Sequence, residues 1–218
     1  MIWKARNDAS FRNISTSPLT IISIAASIEK SFKENNMNCR VGSFKTPSAI
    51  KWQPPPASTF KVNFDGSVTS SSAACGTIIR NSEGVPIITS SKNIGKASVP
   101  TTEASSLRDS ILIAKNRGLT RIIVEGDSKI IIDAVNGKIS APWRLQQIIE
   151  DIKNLAQEFQ EISFNHIYRE ANFAADATTS LRHSITGRRD WFQPLPRSIG
   201  RMIMFDQIGE GCPRGSFL

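Results

Sequence analysis

Four of the nineteen acidic residues stand out by where they fall in the local pattern: Asp65, Glu103, Asp127 and Asp176. Asp65 closes the alternating stretch Phe60-Lys61-Val62-Asn63-Phe64 and precedes Gly66, a residue that lets the backbone bend and approach a ligand closely. Glu103 opens a helical pattern, Asp127 follows the apolar run Ile122-Ile123-Val124, and Asp176 lies early in the last helical pattern. Taken singly, each reads as a surface acid or a helix-terminus charge. Two strand ends and two helix starts together predict one anionic pocket. Carboxylates so gathered repel and raise one another's pKa unless cations bridge them. Mg²⁺ suits all-oxygen ligands and phosphate substrates, with Mn²⁺ as a substitute. Two such ions roughly 4 Å apart activate a water and stabilise the leaving oxygen of a phosphodiester. Asp109, Asp133, Glu150, Asp151 and Glu158 fit exposed helix faces instead.

Convergence requires particular elements. Phe60, Val62 and Phe64 share one face of a strand, with Lys61, Asn63 and Asp65 on the outer one. Cys75 to Arg80 and Val85 to Ser91 continue as strands around the turn at Asn81-Ser82-Glu83-Gly84, giving an antiparallel meander. Pro86 marks the third strand as an edge, since it has no N–H to donate. From Thr101 the period becomes helical, through Ala104, Leu107, Ile111 and Ala114 to Gly118. Ile122-Ile123-Val124 suits a strand buried on both faces, as in parallel pairing. Ser128 heads a short helix through Val135, a longer helix starts near Pro142, and Ile162 to Tyr168 reads as a fifth strand. A final helix carries Phe173, Ala174, Ala177 and Leu181. The order βββ-α-β-α-α-β-α predicts an α/β fold with a five-stranded mixed sheet and helices on its faces. If the first and fourth strands lie parallel and adjacent, Asp65 and Asp127 emerge at the same edge.

The expected domain organisation is a weakly patterned basic segment over residues 1–50 with one helix over 19–33, a Pro-rich linker over 51–56, a domain over 57–183 and a tail over 184–218 that docks in part. Net charge is +8. Residues 1–56 carry eight basic against three acidic side chains, the middle is nearly neutral, and 184–218 carry five against three. Basic flanks fit a polyanion, although solubility explains them equally cheaply. Cys39, Cys75 and Cys212 form no paired spacing, which points to a reducing compartment, nuclear or cytoplasmic. An organellar transit peptide over 1–28 stays open. No apolar run reaches membrane-span length, and a monomer without a membrane partner is expected.

Four blocks carry a resemblance: Asn63-Phe64-Asp65-Gly66-Ser67, Thr102-Glu103-Ala104, Glu125-Gly126-Asp127-Ser128, and Arg169-Glu170-Ala171-Asn172 with Ala175-Asp176. In this order and spacing they resemble the signature of the plant ribonuclease H type 1-like family, the reverse-transcriptase-like domain related to non-LTR retroelements. The likeness runs from about Lys51 to Leu181. It implies a ribonuclease H-like fold, a two-metal site and hydrolysis of the RNA strand of RNA–DNA hybrids. Asp65, Glu103, Asp127 and Asp176 occupy the family's metal-binding positions. Asn63, Gly66, Ser67, Thr102 and Ser128 are candidate backbone contacts by position, Arg169 is suited to a phosphate, and Asn172 belongs to the same substrate-side set. Glu103 is suited to sensing the 2′-hydroxyl that distinguishes RNA from DNA.

The departures from that pattern are specific. Active enzymes of this fold often carry a mobile His before the last helix, and the Arg169-Glu170-Ala171-Asn172 loop has none. His166 is expected inside the fifth strand in a packed role, and His183 beyond the last helix. The basic, aromatic-bearing insertion that some relatives use to grip hybrid is not evident between Asp127 and Pro142. A non-catalytic nucleic-acid-binding remnant of a retroelement domain is the alternative, and a DNA-directed nuclease a third reading.

Overall fold

The structure is a computed structural model and describes Ser17, residues 49–181, 187–209 and 211–215. All but Ser17 belong to the unit Pro47–Leu218. Apart from Ser17, Ala49 and Ile50, the segment expected over 1–50, with its helix over 19–33, lies outside the described residues, as does His183.

Strands β1 (Phe60–Val68), β2 (Ala73–Arg80) and β3 (Pro86–Gly95) form the meander. Helix α1 (Val99–Asn116), strand β4 (Arg121–Gly126), helix α2 (Lys129–Val135), helix α3 (Gln146–Ala156), strand β5 (Glu161–His166) and helix α4 (Phe173–Ser180) follow. Strand β6 (Arg188–Trp191) and helix α5 (Arg197–Ile208) complete the described elements. The sheet order is β5-β4-β1-β2-β3-β6. β1 pairs in parallel with β4, and β4 with β5, while the remaining pairs are antiparallel. The mixed α/β sheet is as the sequence predicts, with one strand more.

That sixth strand corrects the reading of β3 as an edge. β6 pairs with Thr89–Lys92, beyond Pro86, so the proline's missing N–H falls outside the new ladder.

One face of the sheet holds the larger core. Val62, Phe64, Ile79, Ile122 and Val124 meet the α1 stripe Ala104, Leu107, Ile111 and Ala114 and the α3 residues Ile149 and Ile152. Because side chains alternate along a strand, Ile78 points the other way, against Ala174, Ala175, Ile199 and Ile203. The outer face of β1 is therefore covered, and Lys61, Asn63 and Asp65 are all buried.

Polar groups buried there must find partners or lose their hydration without compensation. Lys61 pairs with Glu125 at 2.7 Å, and Arg80 with Asp206 of α5 at 2.5 Å. Arg80 and the Trp52 indole N–H both donate to Asn63 Oδ1, each at 3.0 Å. The Arg80 guanidinium also stacks 3.6 Å from the Trp52 ring centroid. Residues 51–56 are thus not the free spacer expected of prolines, since Trp52 is driven into the domain by its ring area and its one donor.

α1 begins earlier than Thr101, with Ser98 as N-cap accepting from Thr101 N–H and Pro100 in the first turn. Glu103 therefore sits in the second turn, so the helix terminus is not what stabilises it.

The Arg80–Asp206 pair generates a stability prediction. Asp206→Ala is expected to destabilise the chain by about 3–5 kcal/mol, because it strands a buried guanidinium. Adding Arg80→Met should recover most of that loss. Urea denaturation measures both; a single-variant loss below about 1 kcal/mol would show that this contact does not hold α5 to the sheet.

Candidate active site

The parallel pairing of β1 with β4 brings Asp65, which lies within β1 and does not close it, beside Asp127 just beyond β4. Glu103 joins them because Gly66 has no side chain. A Cβ at Gly66 would lie 2.8 Å from Glu103 N and 3.0 Å from its Cα, so only glycine lets α1 come this close to β1. Asp65, Glu103 and Asp127 each offer a carboxylate oxygen within 4.8 Å of the others.

Asp176 stays outside that group, and its Oδ1 accepts from Arg169 Nη2 at 3.0 Å. It lies near enough that its charge raises the pKa of both Asp65 and Asp127. Arg169 is therefore tied to Asp176, not to the neighbouring Glu170, whose carboxylate accepts from Gly215 N–H.

Burial dominates the electrostatics. Asp65 is pushed up to about 7 by burial first, then by Asp127 and Asp176, against the Thr179 hydroxyl and Arg169. Glu103 is pushed up to about 9 by burial and by Asp65 and Asp127, against a hydrogen bond from Gly66 N–H. Asp127 is raised by burial, opposed by its own backbone N–H, by Arg169 and by His166. Glu103 Oε2 is buried without a hydrogen-bond partner. Three close carboxylates and an unpartnered buried oxygen are a donor set that fits a hard divalent cation, with Asp65, Glu103 and Asp127 as its holders.

Other positions named from sequence have structural work. Asn63 is consumed by Trp52, Arg80 and Glu125, and Thr102 is buried with its hydroxyl on Ser98 O. Asn172 is buried and donates to Phe64 O at 2.9 Å, fastening the start of α4 to the middle of β1. Gly66 acts through its missing side chain. Ser67 and Ser128 are half-buried, and Ser128 makes no side-chain cap bond to α2.

Two residues were missed. β5 ends at His166, so this ring is exposed at the strand end instead of packed within it, with Nε2 3.2 Å from Asp127 O. Thr179 Oγ1 lies 3.1 Å from Asp65 Oδ2 and 2.7 Å from Asp176 O, one proton serving both acceptors. Gly76 makes room for it, since a Cβ there would meet the Thr179 methyl. The polar pair Thr178-Thr179 after Asp176 was the available signal.

Residues 63–181 match the family described as reverse transcriptase-like. A curated Arabidopsis thaliana protein named as a ribonuclease H protein is 26% identical over 167 residues, 76% of this chain and 27% of that protein, so the chain spans about a quarter of the relative's length. Ribonuclease H1 from the halophilic archaeon Halobacterium salinarum NRC-1 is 22% identical with a TM-score of 0.56, covering 58% of this chain and 98% of that one. A ribonuclease H1 from compost, solved in complex with an RNA/DNA hybrid, is 22% identical with a TM-score of 0.51, covering 56% of this chain and 94% of that one. These structures share the ribonuclease H-like fold described above.

Raised carboxylate pKa values set a pH dependence of definite sign. The folded chain binds more protons at Asp65 and Glu103 than the unfolded chain between about pH 4, the unfolded value, and the folded values of about 7 and about 9. Stability should therefore fall as pH rises through that window in the presence of a chelator. Thermal denaturation between about pH 5 and pH 9 should show this fall in the wild type and a shallower one in Glu103→Gln. A divalent cation should raise the melting temperature more at the upper end than at the lower. A wild-type curve that is flat, or that rises toward pH 9, would contradict the electrostatic account of the site.

Proposed function

This chain belongs to the reverse transcriptase-like family, and from that membership and its acidic pocket we propose that it is a metal-dependent endoribonuclease acting on the RNA strand of RNA–DNA hybrids. The observation that carries the reading is the convergence of Asp65, Glu103 and Asp127 where the parallel pairing of β1 and β4 ends. Nothing in the packing of β1, β4 and α1 requires two buried carboxylates and a half-buried one to meet. Their mutual repulsion is a stability cost that a function must justify.

In this reading Asp65, Glu103 and Asp127 hold Mg²⁺, with Asp176 at the margin completing a two-metal site. Metal bound by these carboxylates would lower the pKa of an attacking water and offset charge on the leaving oxygen. The chain's own groups do the rest. Thr179 holds the Asp65 carboxylate in orientation through its hydroxyl. Arg169, half-exposed beside Asp176, is placed to meet a phosphate. His166, exposed against the Asp127 carbonyl, is placed to give or take a proton at the departing or attacking oxygen. The ring stands at the mouth of the pocket although the loop after it contains no histidine.

The test is a gel cleavage assay with labelled hybrid, duplex RNA and duplex DNA, with and without Mg²⁺. Cleavage of the RNA strand in hybrid alone is expected, with Asp127→Asn slower by at least about a hundredfold and still folded. His166→Ala should slow turnover by about a hundredfold while leaving hybrid affinity unchanged. Salt-sensitive binding without products at any metal concentration would replace this reading with the non-catalytic remnant.

A further inference from the structure

Beside the acidic pocket lies an open cleft of about 600 Å³, lined by Asp127, Lys129, His166, Tyr168, Arg169 and Arg214. Arg214 is the unexpected member. It comes from the C-terminal tail, more than thirty positions beyond the segment matched by the family, and sequence analysis gave it no role.

Its position is held from both sides. Cys212 exchanges two backbone hydrogen bonds with Ile50, each at 3.0 Å, forming a short antiparallel bridge. Gly211 permits that bridge, since a Cβ there would lie 2.7 Å from Ile50 O. On the other side, Gly215 N–H donates to Glu170 in the turn before α4. Between these two fastenings the Arg214 guanidinium lies 4.8 Å from the ring centroid of Tyr168.

The chemistry of the cleft is one-sided. Lys129, Arg169 and Arg214 bring three permanent cations, whereas Asp127 brings one carboxylate and faces the pocket. Lys129 and Arg169 are each engaged by a carboxylate, Asp133 and Asp176, at 2.7 and 3.0 Å. Arg214 stacks on an aromatic face and interacts with the Glu170 carboxylate electrostatically without a close ion pair, so the edge of its guanidinium can meet a bidentate anion. Tyr168 is itself substantially exposed and offers a flat apolar surface next to that fork. A strand passing the acidic pocket must bring its adjacent phosphates past this cleft.

We propose that the C-terminal tail is a clamp that presents Arg214 to a backbone phosphate of the nucleic-acid strand, with Tyr168 as the platform that aims it. This inference rests on the nucleic-acid reading above. It assigns strand grip to a segment outside the family's matched span, in a chain whose stretch from Asp127 to Pro142 carries only Lys129 and Lys138 as basic residues. Glu170 becomes a positioning residue that acts through the tail.

The experiment measures fluorescence anisotropy of a labelled RNA–DNA hybrid against the full chain carrying Asp127→Asn in Mg²⁺, over a range of salt. Adding Arg214→Gln is expected to weaken binding about tenfold near 0.1 M salt and to reduce the salt slope by about one. Arg214→Lys should keep the slope and recover only part of the affinity, since an ammonium retains the charge but not the fork. Glu170→Ala should weaken binding comparably, and Arg214→Gln added to it should cost little more. Arg121→Gln, at the opposite end of β4, should change neither quantity. Unchanged affinity and slope in Arg214→Gln, an equal change in Arg121→Gln, or no hybrid binding at all would overturn the proposal. Loss of binding in Arg214→Gln from a wild-type chain that cuts nothing would sink only the cleavage reading. Cleavage by the wild type with undiminished binding in Arg214→Gln would sink only this one.

Discussion

Three carboxylates held close to one another, two of them buried and one half-buried, are the constraint around which this domain is built. Like charges at such separations cannot all ionise without a counterion, so the pocket is electrostatically unfavourable as a purely structural feature. The surrounding fold does little to relieve it. Gly66 and Thr179 each give one hydrogen bond, and Arg169 is engaged by Asp176 at the rim. One oxygen of Glu103 receives nothing. A site kept in this condition by precise backbone contacts is poised for cations.

Two glycines make those contacts possible. Gly66 admits the α1 backbone to β1, and Gly76 admits α4 to β2. Each substitutes absent volume for what would otherwise be a displaced helix, and each helix carries a residue of the pocket. Position here follows from close packing, since interiors as dense as crystals transmit small backbone shifts directly to the side chains they support.

The far side of the sheet solves a different electrostatic problem. Arg80, Asp206, Asn63 and Trp52 form a buried network in which most polar groups find partners, and it fixes α5 and the residues before β1 onto the domain. Burial lowers the pKa of Arg80 and raises that of Asp206, each offset by the charge of the other. Trp52 and α5 are therefore parts of the folded unit. Their docking is also what brings the segment around Arg214 beside the pocket.

The sequence alone carried the order of the elements from β1 to α4 and named four acids, of which Asp65, Glu103 and Asp127 converge while Asp176 stays outside the group. Period-two and period-3.6 patterns are local, and an acid at a strand end keeps its place whatever packs around it. It was less reliable where a polar residue's neighbours come from far along the chain. Asn63 was a candidate backbone contact by position alone, and its partners Trp52, Arg80 and Glu125 come from three separate segments of the chain. His166 read as packed because the end of β5 could not be fixed to within two residues. Likewise, β6 and Arg214 had no local signal, since a four-residue strand and a single cation gain meaning only from what they meet. Tertiary structure decided those cases, because burial and partnership are set by contacts across the chain and not by the pattern along it.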